Sequence, residues 1–292
     1  MLSTSFDSHT WAAVPFHFWS AVFFVFGSIV GSFLNVCIYR LPRRESIVFP
    51  RSRCTACGET IRAYDNIPLI SFLLLGGRCR FCKNPISLQY PAVEFLNGVS
   101  FYFCAQVWGF QGPTFVNSLF IAAIIVLVFV DYQHQILPNR ITIPGILVGM
   151  ALSFFQTPDL YRDSLSYSLA SAVSAEAPTA VLPLIGALVG AVAGGGLLWA
   201  VGSAYKIVRR TQGLGMGDVK MMAMVGAFLG WRLALLTILT GSMLGSLVGI
   251  FLIFFRGRNL QSKLAFGTFL GPSAVVALFF GLRFLRWYTL GR

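Results

Sequence analysis

The chain has 292 residues, 56% of them apolar and only 11% charged, with a mean hydropathy of +0.75. Such values fall outside the range of soluble domains and point to a polytopic membrane protein. The net charge of +12 does not indicate nucleic acid, because the basic residues gather in alternate loops between apolar runs.

A crossing of about 30 Å of hydrocarbon takes about 20 apolar residues. Candidate spans fall at 17–38, 91–111, 114–132, 141–156, 181–205, 217–230, 233–255 and 266–286. The expected fold is all-α and polytopic, with about eight transmembrane helices. Segment 217–230 is short for a full crossing. Nine of the 22 Lys and Arg lie in 40–90, one at Arg140, four in 206–220 and three in 256–263. The positive-inside rule makes these loops cytoplasmic and the N-terminus external. Residues 1–16 include no Lys or Arg, so they lack the basic start of a cleavable signal peptide, and the first run reads as a retained span. Arg283, Arg286 and Arg292 fall on the outer side and do not fit the pattern. The expected organisation is an N-terminal span at 1–39, a cytoplasmic zinc-binding loop domain at 40–90 and a helical bundle at 91–292.

In the first span, Gly27 and Gly31 stand four apart and would let a neighbouring helix approach closely. Asn35 on the same helix needs polar partners if it is buried. The following loop holds Cys54-Thr-Ala-Cys57 and Cys79-Arg-Phe-Cys82, with 21 residues between the inner cysteines. Two such knuckles place four thiolates around one ion, close to zinc-ribbon spacing. The alternative is two disulfides, which a reducing cytoplasm disfavours. Four protein ligands would leave no open position, so this zinc would be structural. Gly58 suits a tight turn after the first knuckle. Cys37 and Cys104 sit in apolar runs and read as small packing residues.

Glu94 stands near the start of the second span, where a carboxylate is favourable on dipole grounds alone. Asp131 ends the apolar run 117–130, on the unfavourable side of its own helix dipole. Local stability therefore does not account for it. His134 reads as a polar interfacial residue and is left out of the site. Loop 157–180 carries no legible motif, whereas Gly186, Gly190, Gly194 and Gly241, Gly245, Gly249 form small-residue faces for close helix packing. No phosphate-binding loop, zinc-protease helix or Ser-His-Asp set is present.

The stretch Gly213-Leu-Gly-Met-Gly-Asp-Val-Lys220 sets Asp218 at the mouth of an apolar run. Alone, this is compatible with ordinary helix capping. Topology brings Asp131 to the same cytoplasmic edge, however, and ionisable groups at membrane depth are functional candidates. Two carboxyls sharing a site cannot both ionise easily. The ionised one can take a proton from water while the protonated one donates to a scissile carbonyl. A proton- or ion-coupled transporter using the same two aspartates is the alternative of a different class.

The motifs Gly31-Ser-Phe-Leu-Asn-Val-Cys-Ile-Tyr-Arg-Leu-Pro42, the two cysteine knuckles, Tyr90-Pro-Ala-Val-Glu94, Asp131 with Leu137-Pro-Asn139, and Gly215-Met-Gly-Asp-Val-Lys220 occur in this order. The set resembles the bacterial prepilin peptidases, the type IV leader peptidases of the GxGD aspartic protease group, over nearly the whole chain. The resemblance implies an inner-membrane, multi-pass enzyme with its active site at the cytoplasmic face. Such an enzyme removes the basic leader of prepilins and pseudopilins and methylates the new N-terminus with S-adenosylmethionine. It implies Asp131 and Asp218 as the catalytic pair, Gly215, Gly217 and Lys220 as the active-site loop, and Cys54, Cys57, Cys79 and Cys82 as the zinc site. Methyl transfer is placed only in the region of the cytoplasmic loop and Glu94, since no Rossmann-type glycine fingerprint is present. The expected partners are the substrate's basic leader and apolar helix and membrane lipid, with no nucleic acid.

Overall fold

A computed structural model describes residues 16–174, 178–211, 213–256 and 265–290. The expected external N-terminus and most of the basic segment 256–263 lie outside the described residues. The helices are α1 (Phe16–Arg40), α2 (Ile70–Leu74), α3 (Gln89–Trp108), α4 (Gly112–His134), α5 (Asn139–Leu152), α6 (Ser164–Val173), α7 (Pro178–Arg209), α8 (Met216–Arg256), α9 (Gly267–Val276) and α10 (Leu282–Leu290). A π-helical turn, Ala277–Gly281, joins the last two. Among the described residues there is no sheet, only two isolated β-bridges.

The expected all-α membrane architecture is present, but the expected count of eight is not reproduced as eight membrane-length helices. Among the described residues, five helical stretches are long and apolar enough to cross: Phe18–Arg40, Gly112–His134, Pro178–Arg209, Met216–Leu252 and Gly267–Thr289. A shorter apolar helix covers Asn139–Phe155. The segments expected at 217–230 and 233–255 are two helical stretches of α8 that meet at Gly230, whose backbone (φ 75°, ψ 169°) is not helical. The boundary after Asp131 also differs. Gln135, in the left-handed region at φ 53°, ends α4, and Pro138 is the N-cap of α5.

The chain divides into two units, residues 1–40 with 45–122 and residues 41–44 with 123–292. In the first unit α1 and α3 pack through glycines. A methyl group placed on Gly31 would lie 2.7 Å from Glu94 Cα, and one on Gly27 2.8 Å from Phe101 Cβ. That closeness lets side-chain amides reach across to backbone: Asn97 Nδ2 donates to the Gly27 carbonyl at 2.6 Å and Asn35 Nδ2 to the Tyr90 carbonyl at 3.0 Å. The polar partner that Asn35 required is thus the neighbouring helix itself.

In the second unit the stripe Gly186, Gly190 and Gly194 of α7 lies against α8. A Cβ on Gly190 would collide with the carbonyl of Gly226, and one on Gly226 with the carbonyl of Gly190. The two helices therefore meet backbone to backbone. α5 packs on α8 where Gly145 faces Met224 and Gly149 faces Phe228. Loop 157–180, unreadable as sequence, contains α6 and a buried Tyr161 that serves the kink. Gly230 interrupts the α-helical ladder, and the carbonyls near it need other donors. Tyr161 Oη lies 3.1 Å from the Ala227 carbonyl and 3.0 Å from that of Phe228, and Gln156 Nε2 donates to Phe228 at 3.3 Å. On the same side Arg286 pairs with Asp159 at 2.6 Å, which gives one of the misfitting arginines an acidic partner.

Candidate active site and metal centre

The loop between α1 and α3 is built twice. Cys54 N–H donates to the Glu59 carbonyl and Gly58 N–H to that of Cys54, both at 2.9 Å; Cys79 N–H donates to Asn84 at 2.9 Å and Lys83 N–H to Cys79 at 3.1 Å. Ile61 bonds back to Ser52 as Ile86 does to Gly77, and the bridges Arg53–Thr60 and Arg78–Pro85 close the two turns. Gly58 (φ 75°) occupies the left-handed position in the first knuckle and Lys83 (φ 60°) in the second. The repeat was legible in the pairing Arg-Cys-x-x-Cys but obscured by Gly58 against Lys83 and Thr60 against Pro85.

The four Sγ atoms lie within 4.8 Å of one another, with Cys54 and Cys82 at 3.9 Å. Tetrahedral bonds of about 2.3 Å to one ion require sulfur–sulfur edges near 3.8 Å, so the cluster has the dimensions of a four-thiolate metal site. The cysteines are not disulfide-bonded. Backbone N–H groups of Cys82 and Phe81 hold the Cys79 thiol down at about 7, whereas, against a backbone hydrogen bond from Glu59, desolvation and the neighbouring thiols push Cys57 up to about 11, so the four thiols are not equally ready to ionise without an ion between them. Arg80 forks onto Asp65 at 2.6–3.1 Å across the loop and holds that carboxyl below the usual range. Glu94 is buried, and its Oε2 accepts the Leu69 N–H at 2.8 Å. It ties the loop to α3 rather than merely facing a helix dipole.

The two aspartates both lie in the second unit, and both are buried, Asp131 to 5% exposure and Asp218 to 9%. Asp131 sits in the last turn of α4, where its own dipole is unfavourable, and the N-terminus of α9 offsets this. Its Oδ2 accepts the Thr268 N–H at 2.9 Å and lies 3.3 Å from Thr268 Oγ1. Gly267 allows the approach: a methyl group there would lie 2.9 Å from the same oxygen. Asp218 occupies the first turn of α8, past the N-cap position, with its N–H on the Gly215 carbonyl at 3.1 Å. Its carboxyl folds back on Gly215, where a Cβ would lie 3.0 Å from Oδ2. The turns that carry the two carboxyls meet at Leu137, whose Cδ1 lies 3.3 Å from a Cβ built on Gly217 and 3.2 Å from one built on Gly267. Each carboxyl therefore sits at the positive end of a helix, and the described residues show no ion pair to either.

Gly217 faces Leu137, whose Cβ would be 2.9 Å from a methyl group on it. Lys220 Nζ donates to Asn139 Oδ1 at 3.0 Å. His134 is exposed at the end of α4, in keeping with its exclusion from the site. Sequence reasoning missed Thr268. The only available signal was a Gly-Thr pair opening an apolar run, which has no meaning until α9 is placed against α4.

A buried pair of carboxyls at two helix N-termini, with no ion pair to either among the described residues, can share one proton and activate water. Comparison with known proteins agrees in domain order. Residues 25–108 match the bacterial peptidase A24 N-terminal domain, and residues 118–250 match the type IV leader peptidase family. A prepilin leader peptidase/N-methyltransferase of Myxococcus xanthus is 41% identical over 239 residues, covering 82% of this chain and 64% of that protein. Proteins of the same description from Pseudomonas putida and Pseudomonas aeruginosa are each 32% identical; the alignments cover 88% and 90% of this chain, and 89% and 90% of those proteins. No solved structure gives a significant match. With the aspartates, the cysteine knuckles and both domain matches falling in one order along one membrane chain, the protein belongs to the type IV leader peptidase family.

Proposed function

We propose that the chain is a membrane aspartic endopeptidase that removes the basic leader from prepilins and pseudopilins at the cytoplasmic face of the bacterial inner membrane. The observation that carries this reading is the pair of buried carboxyls, Asp131 and Asp218, each at a helix N-terminus within one unit. One carboxylate takes a proton from water as the water attacks the scissile carbonyl, and the protonated partner donates to the carbonyl oxygen. In the resulting tetrahedral diol the first carboxyl gives its proton to the leaving nitrogen while the second, now ionised, takes one back from a hydroxyl as the carbonyl re-forms, so the dyad ends with the single proton it began with. Gly215 and Gly217 keep side chains away from the dyad, and Lys220 braces the first turn of α8. An apolar substrate helix stays in lipid while its basic leader remains outside the hydrocarbon.

The four cysteines hold a structural zinc that fixes the loop and leaves no coordination position open for catalysis. The family relatives named above are also N-methyltransferases, and the same second activity is proposed for this chain. S-adenosylmethionine would supply the activated methyl group. Glu94 contributes by holding the loop through Leu69.

The test uses purified full-length protein in detergent. Asp131→Asn and Asp218→Asn should each abolish cleavage of a prepilin while leaving the thermal unfolding profile in place; continued cleavage by both would overturn the dyad. Elemental analysis should give about one zinc per chain, lost in Cys54→Ser and Cys79→Ser. Mass spectrometry of the product should show one methyl increment with S-adenosylmethionine, and its absence would leave a peptidase only. The transporter reading of the two aspartates finds no support in the names of the relatives reported above.

A further inference from the structure

The strap between α4 and α5, residues 135–138, with Asn139 opening α5, touches the supports of both carboxyls. Leu137 Cδ1 lies 3.3 Å from where a Cβ on Gly217 would stand and 3.2 Å from where one on Gly267 would stand. Gly217 precedes Asp218. Gly267 is the residue against which the carboxyl of Asp131 rests. One side chain is thus pressed between the glycine beneath each aspartate, and a methyl group on either glycine would displace it. Two residues further on, Asn139 Oδ1 accepts the Lys220 ammonium at 3.0 Å. Residues two apart on a helix do not share a face, so an ammonium held by Asn139 braces the helix instead of neutralising Asp218.

We infer that Leu137 and the Asn139–Lys220 bond form a positioning device that sets the spacing and orientation of the two carboxyls. The device rests on the catalytic reading of Asp131 and Asp218 given above. Leu137 carries no group that can exchange a proton; it acts through the glycine turns. A general packing role is a weaker account, because Leu137 is only half-buried and it meets both of the glycines that lead to the two aspartates.

The consequence is readable in the pH profile of cleavage. A dyad that works with one shared proton is active over an interval whose width reflects how strongly the carboxyls feel each other. Truncating the wedge lets the turns relax and the carboxyls separate, so the acid and alkaline limbs move toward each other and the maximum falls. Among the described residues, the other charged or titratable groups on surrounding elements are Lys220, Arg232 and Arg256 on α8, Tyr132 and His134 at the end of α4, Arg140 on α5, and Tyr205, Lys206 and Arg209 near the end of α7. α9 brings none. None of these is altered by a change at Leu137.

The experiment measures kcat/KM against pH for prepilin cleavage by full-length protein in detergent, with thermal unfolding alongside. Leu137→Ala should lower the maximum by about tenfold to a hundredfold, the scale expected when reacting groups are misplaced by a fraction of an ångström to an ångström, and should narrow the active interval. Leu137→Met, of similar volume, should restore the width. Asn139→Ala and Lys220→Met should each lower the maximum, and the double variant should fall no further than the worse single one. An unchanged interval in Leu137→Ala, or in Leu137→Val if the alanine variant does not fold, overturns the inference, as does additive loss in the double variant. Asp131→Asn and Asp218→Asn run in parallel keep the two ideas apart. Their survival would remove the catalytic reading itself, whereas their inactivity with an unchanged interval in the Leu137 variants removes only the positioning device.

Discussion

Tyr161→Phe removes one oxygen atom and leaves the ring that packs against Gly186, so its effect isolates the capping of the α8 kink. The hydroxyl is fully buried, and it lies within 3.1 Å of the Ala227 and Phe228 carbonyls. Gln156 still donates to Phe228 in the variant, so the carbonyl that loses its side-chain donor is that of Ala227. An unpaired buried acceptor costs about 1–3 kcal/mol, and no cavity term adds to it. Gly230→Ala attacks the same kink from the backbone. Its φ of 75° with ψ of 169° lies in a region open essentially to glycine alone, a strain of order 1–3 kcal/mol, and its Cβ would stand 2.7 Å from the Leu160 carbonyl. The glycine variant should therefore lose more than the tyrosine variant, and both should lose stability. Unfolding by titration with a denaturing detergent, followed by tryptophan fluorescence, measures both. A Tyr161→Phe variant as stable as the parent, or a cost exceeding that of Gly230→Ala, would refute the argument that the loop exists to cap the kink.

Gly190→Ala should prevent accumulation of folded protein, because its methyl group meets the Gly226 carbonyl; Gly196→Ala, whose Cβ meets nothing within 4 Å, should be tolerated or slightly stabilising, and expression with size-exclusion profiles separates the two. Lys83→Gly should strengthen the second knuckle by about 1 kcal/mol, since a left-handed position costs a non-glycine residue roughly that amount. A chelator competition assay would then show slower metal loss, and faster loss would refute the assignment of Lys83 to the strained turn.

Much of the site was legible because its chemistry is carried by residue types rare in this chain. Only ten acidic residues occur in 292, so Asp131 and Asp218 stood out, and the four knuckle cysteines announced their grouping by spacing. The apolar runs located the helices. The number of crossings was less legible, because hydropathy located the run 141–156 without showing that its helix, Asn139–Phe155, is shorter than a crossing; the break in α8 at Gly230 falls where the sequence placed a boundary. Thr268, Leu137 and Tyr161 were silent for a common reason. Each acts on a residue 66 or more positions away or through a glycine in another segment, and nothing local in the sequence marks such a contact. Glu94 shows the opposite failure, since a local dipole argument was available and correct in general, yet the partner is Leu69 in the loop.

The backbone contact between Gly190 and Gly226 also limits how the second unit can move. A joint containing no side chain has no rotamers to exchange and no room to slide, so α7 and the first half of α8 behave as a single stiff plate carrying Asp218. Compliance must come from contacts made by flexible groups. Where α9 lies over Val128, Ile124 and Met221, side chains can rearrange, and the π-helical turn after it supplies slack in the register. Asp131 is bonded to the first turn of α9, so the adjustable member of the pair is the one held by the movable helix, facing a partner fixed to the plate.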